Sequence, residues 1–425
     1  MPISLKANIG FASALFFAAC VTVLTYLYLR GHPGCCDAVS YAELAAAYQA
    51  EGLLTKHFMS GIRTYAYPLF LASIQSRETL AGELSGLHDV RVPIFQFLIF
   101  SGAAFTLIKA LTELGAGAVF AATFGIFGNI FVLVFISHRL GEALSIACLF
   151  AVTACIVRDR AWSLVLAAFI AGLAIMIRPA NFPIALGLCA VFLFRLAMVR
   201  DWRTVALAAF ALALPVVPQV WINWNVHDIF TLWPAVSLGN QQIVWGVENA
   251  KYATNLSGGP APMFYPNPFF AQGAHSILFY VAGVGTATLH IFNSVTVDYL
   301  FPYVHDLRPW YAVPMLIANH GLVFLAAATA LRLLRGRAVK VALGLQDQWW
   351  IFLLIFVCAT CGLNAIVAVE SRFGLPVLAV LGPLAVYGAS MRWRTWVAIP
   401  GLVYVFLAVC LALWQREAAI AALSS

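Results

Sequence analysis

Long apolar runs, separated by short polar segments, follow one another along almost the whole chain. An apolar run of about 20 residues is long enough to cross the hydrocarbon core of a bilayer, and counting such runs predicts about eleven transmembrane helices. The predicted spans are Ile9–Leu29, Val92–Leu111, Val119–Ile136, Leu140–Val157, Trp162–Ile177, Phe182–Leu196, Val205–Trp221, Tyr311–Leu331, Trp349–Val369, Gly374–Ala389 and Trp396–Trp414. We therefore expect an all-α polytopic membrane protein in which residues 1–425 form a single integral membrane domain.

The first long interruption of the apolar pattern is the segment 31–91. Within it, Tyr41, Leu44 and Tyr48 recur at spacings of three and four residues, which is typical of one face of an amphipathic helix. The stretch Tyr65–Ile74 is apolar but too short to span a membrane. The pattern predicts two short helices in this segment, lying along the membrane surface.

Composition and charge narrow the class of protein. Hydrophobic residues make up 63% of the chain and charged residues only 10%, against roughly 25% charged residues in soluble proteins. When the N-terminus with Lys6 is placed in the cytoplasm, more than half of the 24 lysines and arginines fall in cytoplasmic loops, as the positive-inside rule requires. The net charge of +7 is then a consequence of topology and predicts no nucleic-acid partner.

The same orientation places both long segments, 31–91 and 224–310, on the outer side of the membrane together with the C-terminus. Irregular backbone near a membrane is tolerated where it lines a protein cavity, so we expect chemistry in these two segments. The segment 31–91 is the expected catalytic loop, and 224–310 is the expected region for binding an acceptor or a donor. We expect an inner membrane protein of a bacterium, with its active site facing the periplasm.

Cysteine and histidine spacing gives no metal or redox motif. The pair Cys358 and Cys361 has CxxC spacing, but it lies inside an apolar run, where small residues usually serve helix packing. None of the nine histidines has ligand spacing such as HExxH. We expect neither a metal nor a cofactor.

Asp37 opens the helical pattern of segment 31–91 and can be interpreted in two compatible ways. It can act as a helix N-cap, or it can hold a carboxylate rigidly at the membrane surface. Other ionisable residues lie in the outer segments or at the outer ends of predicted spans: Lys56, Arg63, His138, Arg139, Glu142, Arg178, Glu370 and Arg372. Charges in a membrane protein are costly unless they are paired or face a polar cavity. Because arginine binds phosphate through two parallel hydrogen bonds, this set is typical of a phosphate-binding cavity.

Four sequence segments carry a resemblance to a known family. After Asp37 come the residues RTYAYPLFLA at Arg63–Ala72, HRLGEALS at His138–Ser145, GLAIMIRP at Gly172–Pro179 and ESRFGLP at Glu370–Pro376. In their order and predicted side of the membrane they resemble segments of GT-C fold glycosyltransferases that use polyprenyl-phosphate sugars. That family includes the protein O-mannosyltransferases and the lipid A aminoarabinose transferases.

The resemblance implies an integral membrane glycosyltransferase of GT-C-like fold. Such an enzyme moves a sugar from a polyprenyl-phosphate donor to an acceptor hydroxyl on a lipid, glycan or protein, with inversion. It implies that Asp37 is the catalytic base. One carboxylate is chemically sufficient, because the leaving lipid phosphate is already stable as an anion, unlike the alkoxide released by glycoside hydrolases. Asp37 lacks a second acid beside it, which argues against a metal-dependent variant.

The resemblance also implies roles for further residues. Those expected to bind the donor phosphate are Arg63, Arg372, Arg178, Lys56 and Arg139. Those expected to support the site are Tyr41, Tyr65, Tyr67, His138, Glu142 and Glu370. The expected partners are the polyprenyl-phosphate sugar, the acceptor and membrane lipids.

Two other functions fit much of the same pattern. A transporter or flippase of a lipid-linked precursor also places basic residues in a cavity, but such proteins often contain internal repeats, and we find none here. A glycan polymerase or ligase with diphosphate-linked donors would share the outer loops and the arginines. It would not need an acid at position 37.

Overall fold

A computed structural model of the protein describes residues 5–30, 37–54, 63–84, 89–112, 115–232, 292, 309–338, 348–366, 374–391 and 395–424. Within these residues every regular element is helical. The helices are α1 Leu5–Leu29, α2 Asp37–Glu51, α3 Ala66–Ile74, α4 Arg77–Leu84, α5 Arg91–Leu111, α6 Ala116–Phe127, α7 Ile130–Leu133, α8 Glu142–Arg158, α9 Ala161–Ile177, α10 Phe182–Val199, α11 Trp202–Ala213, α12 Val217–His227, α13 Pro309–Ala338, α14 Gln348–Ile366, α15 Leu375–Ala389 and α16 Thr395–Ser424. Short 3₁₀ turns at Val134–Ile136 and Pro179–Asn181 precede α8 and α10.

Several long apolar helices indicate a membrane-embedded protein. Five stretches in the described residues are long and apolar enough to cross a bilayer: Ile9–Leu29, Arg91–Leu111, Pro179–Val199, Trp202–Val226 and Leu316–Leu333. A sixth candidate combines Ala116–Phe127 with Ile130–Ile136, two segments that meet at an angle of 45°. Each of the eleven predicted spans overlaps a helix, although several of these helices are short. The all-helical class is confirmed, and the number of spans stays a prediction.

Two predicted spans are interrupted, and each interruption has a local cause. The span predicted at Val119–Ile136 bends where α6 ends at Gly128, because glycine and the following Asn129 are poor helix formers. The span predicted at Val205–Trp221 is broken between α11 and α12. Pro215 lies in that break, and proline lacks the N–H group that would continue the helical hydrogen bonds.

The segment 31–91 contains three described helices, α2, α3 and α4, where the sequence pattern predicted two. The additional helix is α4, which begins after Ser76. The backbone N–H of Thr79 donates to Ser76 Oγ at 3.3 Å, which is the bond that an N-cap serine makes. The polar sequence of α4 has little apolar periodicity, so the pattern did not indicate it.

Contacts between Cα atoms divide the chain into two compact units. The first comprises Met1–Pro234 and Lys340–Phe356. In it, α8 packs against α5 and α9, α9 packs against α11, and α2 packs against α3 and α4. Edge-to-face contacts of Phe100 with Phe150 and with Phe127, at 5.6 and 6.2 Å between ring centroids, link α5 to α8 and α6.

The second unit comprises Ala235–Val339 and Val357–Ser425. Its described core is formed by α13, which packs against α15 and α16. His320 Nδ1 on α13 lies 3.2 Å from the hydroxyl of Tyr404 on α16. Small residues permit the close packing of these helices, because a Cβ atom at Gly388 would overlap Thr329 Oγ1.

Candidate functional site

The candidate site is built on the first turns of α2. Asp37 is the first residue of the helix, where the helix dipole stabilises a carboxylate. One turn later, Ser40 and Tyr41 lie beside it, and Ser40 Oγ donates to the backbone oxygen of Asp37 at 3.0 Å. The apolar positions Tyr41, Leu44 and Tyr48 are buried, as the spacing predicted, and they fix this helix on the rest of the unit.

Arg63 lies over this turn and contacts three residues of α2. Its Nη2 forms an ion pair with Asp37 Oδ1, and its Nε donates to Ser40 Oγ at 3.2 Å. The guanidinium carbon is 4.8 Å from the centroid of the Tyr41 ring, within the range of a cation–π interaction. The side chains of Asp37 and Arg63 are 27% and 17% exposed, so the pair is open to solvent on one side.

A second ion pair joins α8 to the end of α9. Arg178 Nη1 lies 2.9 Å from Glu142 Oε1, and the Glu142 side chain is only 3% exposed. The two helix ends approach closely because the residue before Glu142 is a glycine. A Cβ atom at Gly141 would lie 3.2 Å from Ile177 Cγ2, closer than an ordinary van der Waals contact.

Buried hydrogen bonds hold this second pair in place. Asn181 Nδ2 donates to Ser145 Oγ at 2.8 Å and to the backbone oxygen of Ala174 at 2.7 Å. Ser145 Oγ donates in turn to the backbone oxygen of Gly141 at 2.6 Å. The turn after Arg178 is thereby fixed to the first turn of α8.

Tyr41 contacts the first ion pair through the Arg63 guanidinium, and its ring is buried. The charges of Arg63, Glu142, Arg178 and Asp37 all influence the pKa of its hydroxyl. Burial raises the pKa of Tyr41, and Glu142 and Asp37 raise it further, while the two arginines oppose this shift. The phenol therefore stays neutral and can donate a hydrogen bond.

Tyr67 connects this region to the link before α8. Its ring meets that of Tyr41 edge to face with 4.7 Å between centroids, and its hydroxyl donates to Gln96 Oε1 at 3.3 Å. The amide nitrogen of the buried Gln96 donates to the backbone oxygens of Ile136 and His138, both at 2.8 Å. Gln96 thus couples α3 to the link that leads into Glu142.

Tyr65 fixes the start of α3 against the break between α11 and α12. Its hydroxyl donates to the backbone oxygen of Pro215 at 2.9 Å, and its backbone N–H donates to Gln219 Oε1 at 2.9 Å. Burial raises the pKa of Tyr65, so this hydroxyl also stays protonated. The carbonyl oxygen of Pro215, in the break between α11 and α12, therefore accepts the hydrogen bond that positions Tyr65.

The structure describes nine of the twelve residues that the sequence singled out. Asp37, Arg63, Tyr41 and Tyr67 form one contact group, Glu142 pairs with Arg178, and Tyr65 fixes the start of α3. His138 and Arg139 lie in the link before α8, where Arg139 is 3% exposed and the His138 ring packs against Phe135. Lys56, Glu370 and Arg372 lie outside the described residues, so their predicted roles stay predictions.

Five polar residues of this region were not predicted: Ser40, Gln96, Ser145, Asn181 and Gln219. Four of them are buried, and a single amide or hydroxyl within an apolar run indicates a buried hydrogen bond. Gln96, within the run VPIFQFLIF, is the clearest example. Their partners could not be predicted, because most of these bonds join residues far apart in the sequence.

Fold and site together define a class: a helical, membrane-embedded protein with an aspartate–arginine pair against a buried tyrosine and a buried glutamate–arginine pair that joins two helices. Comparison with family models, curated proteins and solved structures found no match to the chain. Among the described residues, no three His, Cys, Asp or Glu side chains are grouped so that they could hold a metal ion.

The chemistry open to this site follows from its charges. A partly exposed carboxylate on a rigid helix can accept a proton from a hydroxyl group that reaches it from solvent. Arg63 and Arg178 can bind an anionic group, since a guanidinium matches the geometry of phosphate oxygens. The site thus combines a candidate base with candidate anion-binding groups.

Proposed function

We propose that the protein is an integral membrane glycosyltransferase that moves a sugar from a polyprenyl-phosphate donor to an acceptor hydroxyl at the outer face of the membrane. The observation that carries the proposal is the placement of the Asp37 carboxylate at the start of a helix and in contact with Arg63. Base and phosphate-binding groups lie side by side there, as transfer from a lipid phosphate requires.

In the proposed reaction, the acceptor oxygen attacks the anomeric carbon of the sugar while Asp37 takes the proton of that hydroxyl group. The bond between the anomeric carbon and the phosphate oxygen breaks, and its electron pair stays on the phosphate. Attack opposite to the leaving group inverts the anomeric configuration. No acid is needed for departure, because the polyprenyl phosphate leaves as a stable anion.

Arg63 and Arg178 supply positive charge where negative charge develops. The phosphate gains charge as it departs, so a guanidinium beside it stabilises the transition state more than the ground state. Tyr41, whose ring contacts Arg63, adds a neutral hydroxyl. The acceptor belongs to the class of hydroxyl-bearing lipids, glycans or proteins that reach the outer membrane face.

Two observations favour this function over the alternatives. A polymerase or ligase with diphosphate-linked donors would not need a carboxylate at position 37, yet Asp37 is held there by an ion pair and by the helix start. A transporter often contains internal repeats, and the sequence shows none.

The function is tested with purified full-length protein reconstituted in lipid vesicles with an envelope extract as the source of acceptors. Radiolabelled sugars linked to polyprenyl phosphate are compared with the same sugars linked to polyprenyl diphosphate. We expect time-dependent transfer of label and release of polyprenyl phosphate with at least one monophosphate donor. Consumption of diphosphate donors alone, or movement of donor across the vesicle membrane without transfer, would contradict the proposal.

A further inference from the structure

In the structure, the candidate base Asp37 forms an ion pair with Arg63, a candidate phosphate-binding residue. Asp37 Oδ1 is engaged by Arg63 Nη2. A guanidinium in contact with a carboxylate favours its charged form and so opposes proton uptake. The same guanidinium group cannot fully surround a phosphate while it binds Asp37. The ion pair seen in the structure is therefore suited neither to catalysis nor to full donor binding.

We propose that the donor phosphate displaces Asp37 from Arg63, so that Arg63 exchanges an internal carboxylate for the substrate and Asp37 becomes available as the base only when donor is bound. The inference rests on the proposed function and concerns how that site is switched on. It makes proton abstraction depend on donor occupancy, which protects the carboxylate from unproductive proton transfer.

Arg63 is held in position by groups other than Asp37. Its Nε donates to Ser40 Oγ, and its guanidinium lies against the Tyr41 ring. Both residues belong to α2, whose apolar face is buried. The arginine therefore keeps its location when the carboxylate leaves, and the exchange requires only rotation of the Asp37 side chain.

Exposure identifies Arg63, and not Arg178, as the arginine that exchanges its partner. If Arg178 turned to the phosphate, it would leave the Glu142 carboxylate, which is only 3% exposed and lies 2.9 Å from Arg178 Nη1. Removing one partner of a buried ion pair is strongly unfavourable. Asp37 is 27% exposed and can be solvated by water when its side chain rotates away from Arg63. Arg178 therefore keeps Glu142 and contributes to the local positive charge from its fixed position.

The exchange returns the site to its starting ion pair, and charge and protons balance over the whole reaction. The bound donor carries one negative charge, and the departing polyprenyl phosphate carries two until it takes up a proton. Asp37 holds the proton from the acceptor hydroxyl after the sugar is transferred. When that proton passes to the phosphate or to solvent and the product leaves, Asp37 and Arg63 pair again.

The experiment measures binding of polyprenyl phosphate, without sugar, to full-length protein in nanodiscs, with neutral polyprenol as the probe for chain binding alone. In Asp37→Asn, the competing charge is removed, so we expect binding to tighten by up to about fivefold, the worth of a partly exposed ion pair. Arg63→Gln should weaken binding. Polyprenol binding should be the same in all variants.

The double variant separates exchange from a general change of charge. If Asp37 competes for Arg63, then adding Asp37→Asn to Arg63→Gln should give no further tightening, whereas through-space repulsion would tighten binding in both backgrounds. Asp37→Ser provides the same test if the asparagine variant folds poorly. Equal tightening in both backgrounds, or no tightening in either single variant at position 37, would overturn the exchange. Sugar transfer by the wild type, measured separately, shows in each case whether the proposed function stands.

Discussion

The two ion pairs of the site differ in the solvent exposure of the carboxylate that is left when the arginine is removed. Asp37 is partly exposed and would be solvated, whereas Glu142 is buried beneath the first turn of α8. Ion pairs at a surface contribute about 1 kcal/mol or less to stability, but loss of one partner of a buried pair costs about 3–5 kcal/mol. The same substitution should therefore have different consequences at Arg63 and Arg178.

Arg178→Gln should destabilise the protein by about 3–5 kcal/mol, because it removes one partner of a buried ion pair. Arg63→Gln should change stability by about 1 kcal/mol or less and should lower both donor affinity and turnover. Thermal unfolding in detergent, combined with donor binding, measures both effects. Similar loss of thermal stability in the two variants, with donor binding intact in Arg63→Gln, would assign both pairs a purely structural role.

At the scale of the helices, close packing explains the glycine that begins the segment GLAIMIRP at Gly172–Pro179. Gly172 lies where α9 meets α11, and a Cβ atom there would overlap the backbone oxygen of Leu212. The same atom would lie 3.3 Å from Cδ of Pro215, whose carbonyl oxygen accepts from Tyr65. The contact between α9 and α11 therefore affects the position of α3.

Gly172→Ala should destabilise the protein by about 1–3 kcal/mol, because an added methyl group at a close helix contact forces the backbones apart. Gly102→Ala on α5 is the matched control. A Cβ atom there meets nothing within 4 Å, so the greater helix propensity of alanine should leave stability unchanged or raise it by up to about 1 kcal/mol. Equal thermal unfolding temperatures in the two variants would contradict this account of Gly172.

The sequence allowed the helices to be located because long apolar runs and three-to-four spacing are local properties. Trp162–Ile177, for example, was predicted within one residue of α9. The bend after Gly128, the break at Pro215 and the helix α4 were not predicted, because each depends on single residues within or beside an otherwise uniform pattern. At the site, the sequence identified the charged residues but not their pairing. Asp37 and Arg63 are 26 residues apart, and only the packing of α2, α8 and α9 decides which acid meets which arginine.

At the scale of the molecule, charged groups lie at both ends of an apolar layer. Glu142 begins α8, and at its other end Asp159 lies 2.5 Å from Arg195, which also contacts Asp201 at 3.2 Å. A helix of 17 residues is about 25 Å long, close to the thickness of the hydrocarbon core of about 30 Å. The two charged groups therefore have the separation expected of the two faces of a membrane.

The predicted orientation places Glu43 on the outer face and Arg203 in the cytoplasm. Both side chains are exposed, so Glu43→Cys and Arg203→Cys, each in a background without the native cysteines, report the orientation directly. A membrane-impermeant maleimide applied to intact spheroplasts should label position 43 and leave position 203 unlabelled, and both should react after permeabilisation. Labelling of position 203 alone before permeabilisation would place Asp37 on the cytoplasmic side.

The rate of sugar transfer by Asp37→Asn, compared with wild type at saturating donor, is the measurement that decides whether Asp37 is the catalytic base. Asparagine is nearly as good as aspartate at a helix start, so the variant should fold and bind polyprenyl phosphate. It cannot accept the proton of the acceptor hydroxyl, and transfer should fall by about 10²-fold or more. Transfer at the wild-type rate by a folded, donor-binding Asp37→Asn protein would show that Asp37 is not the base.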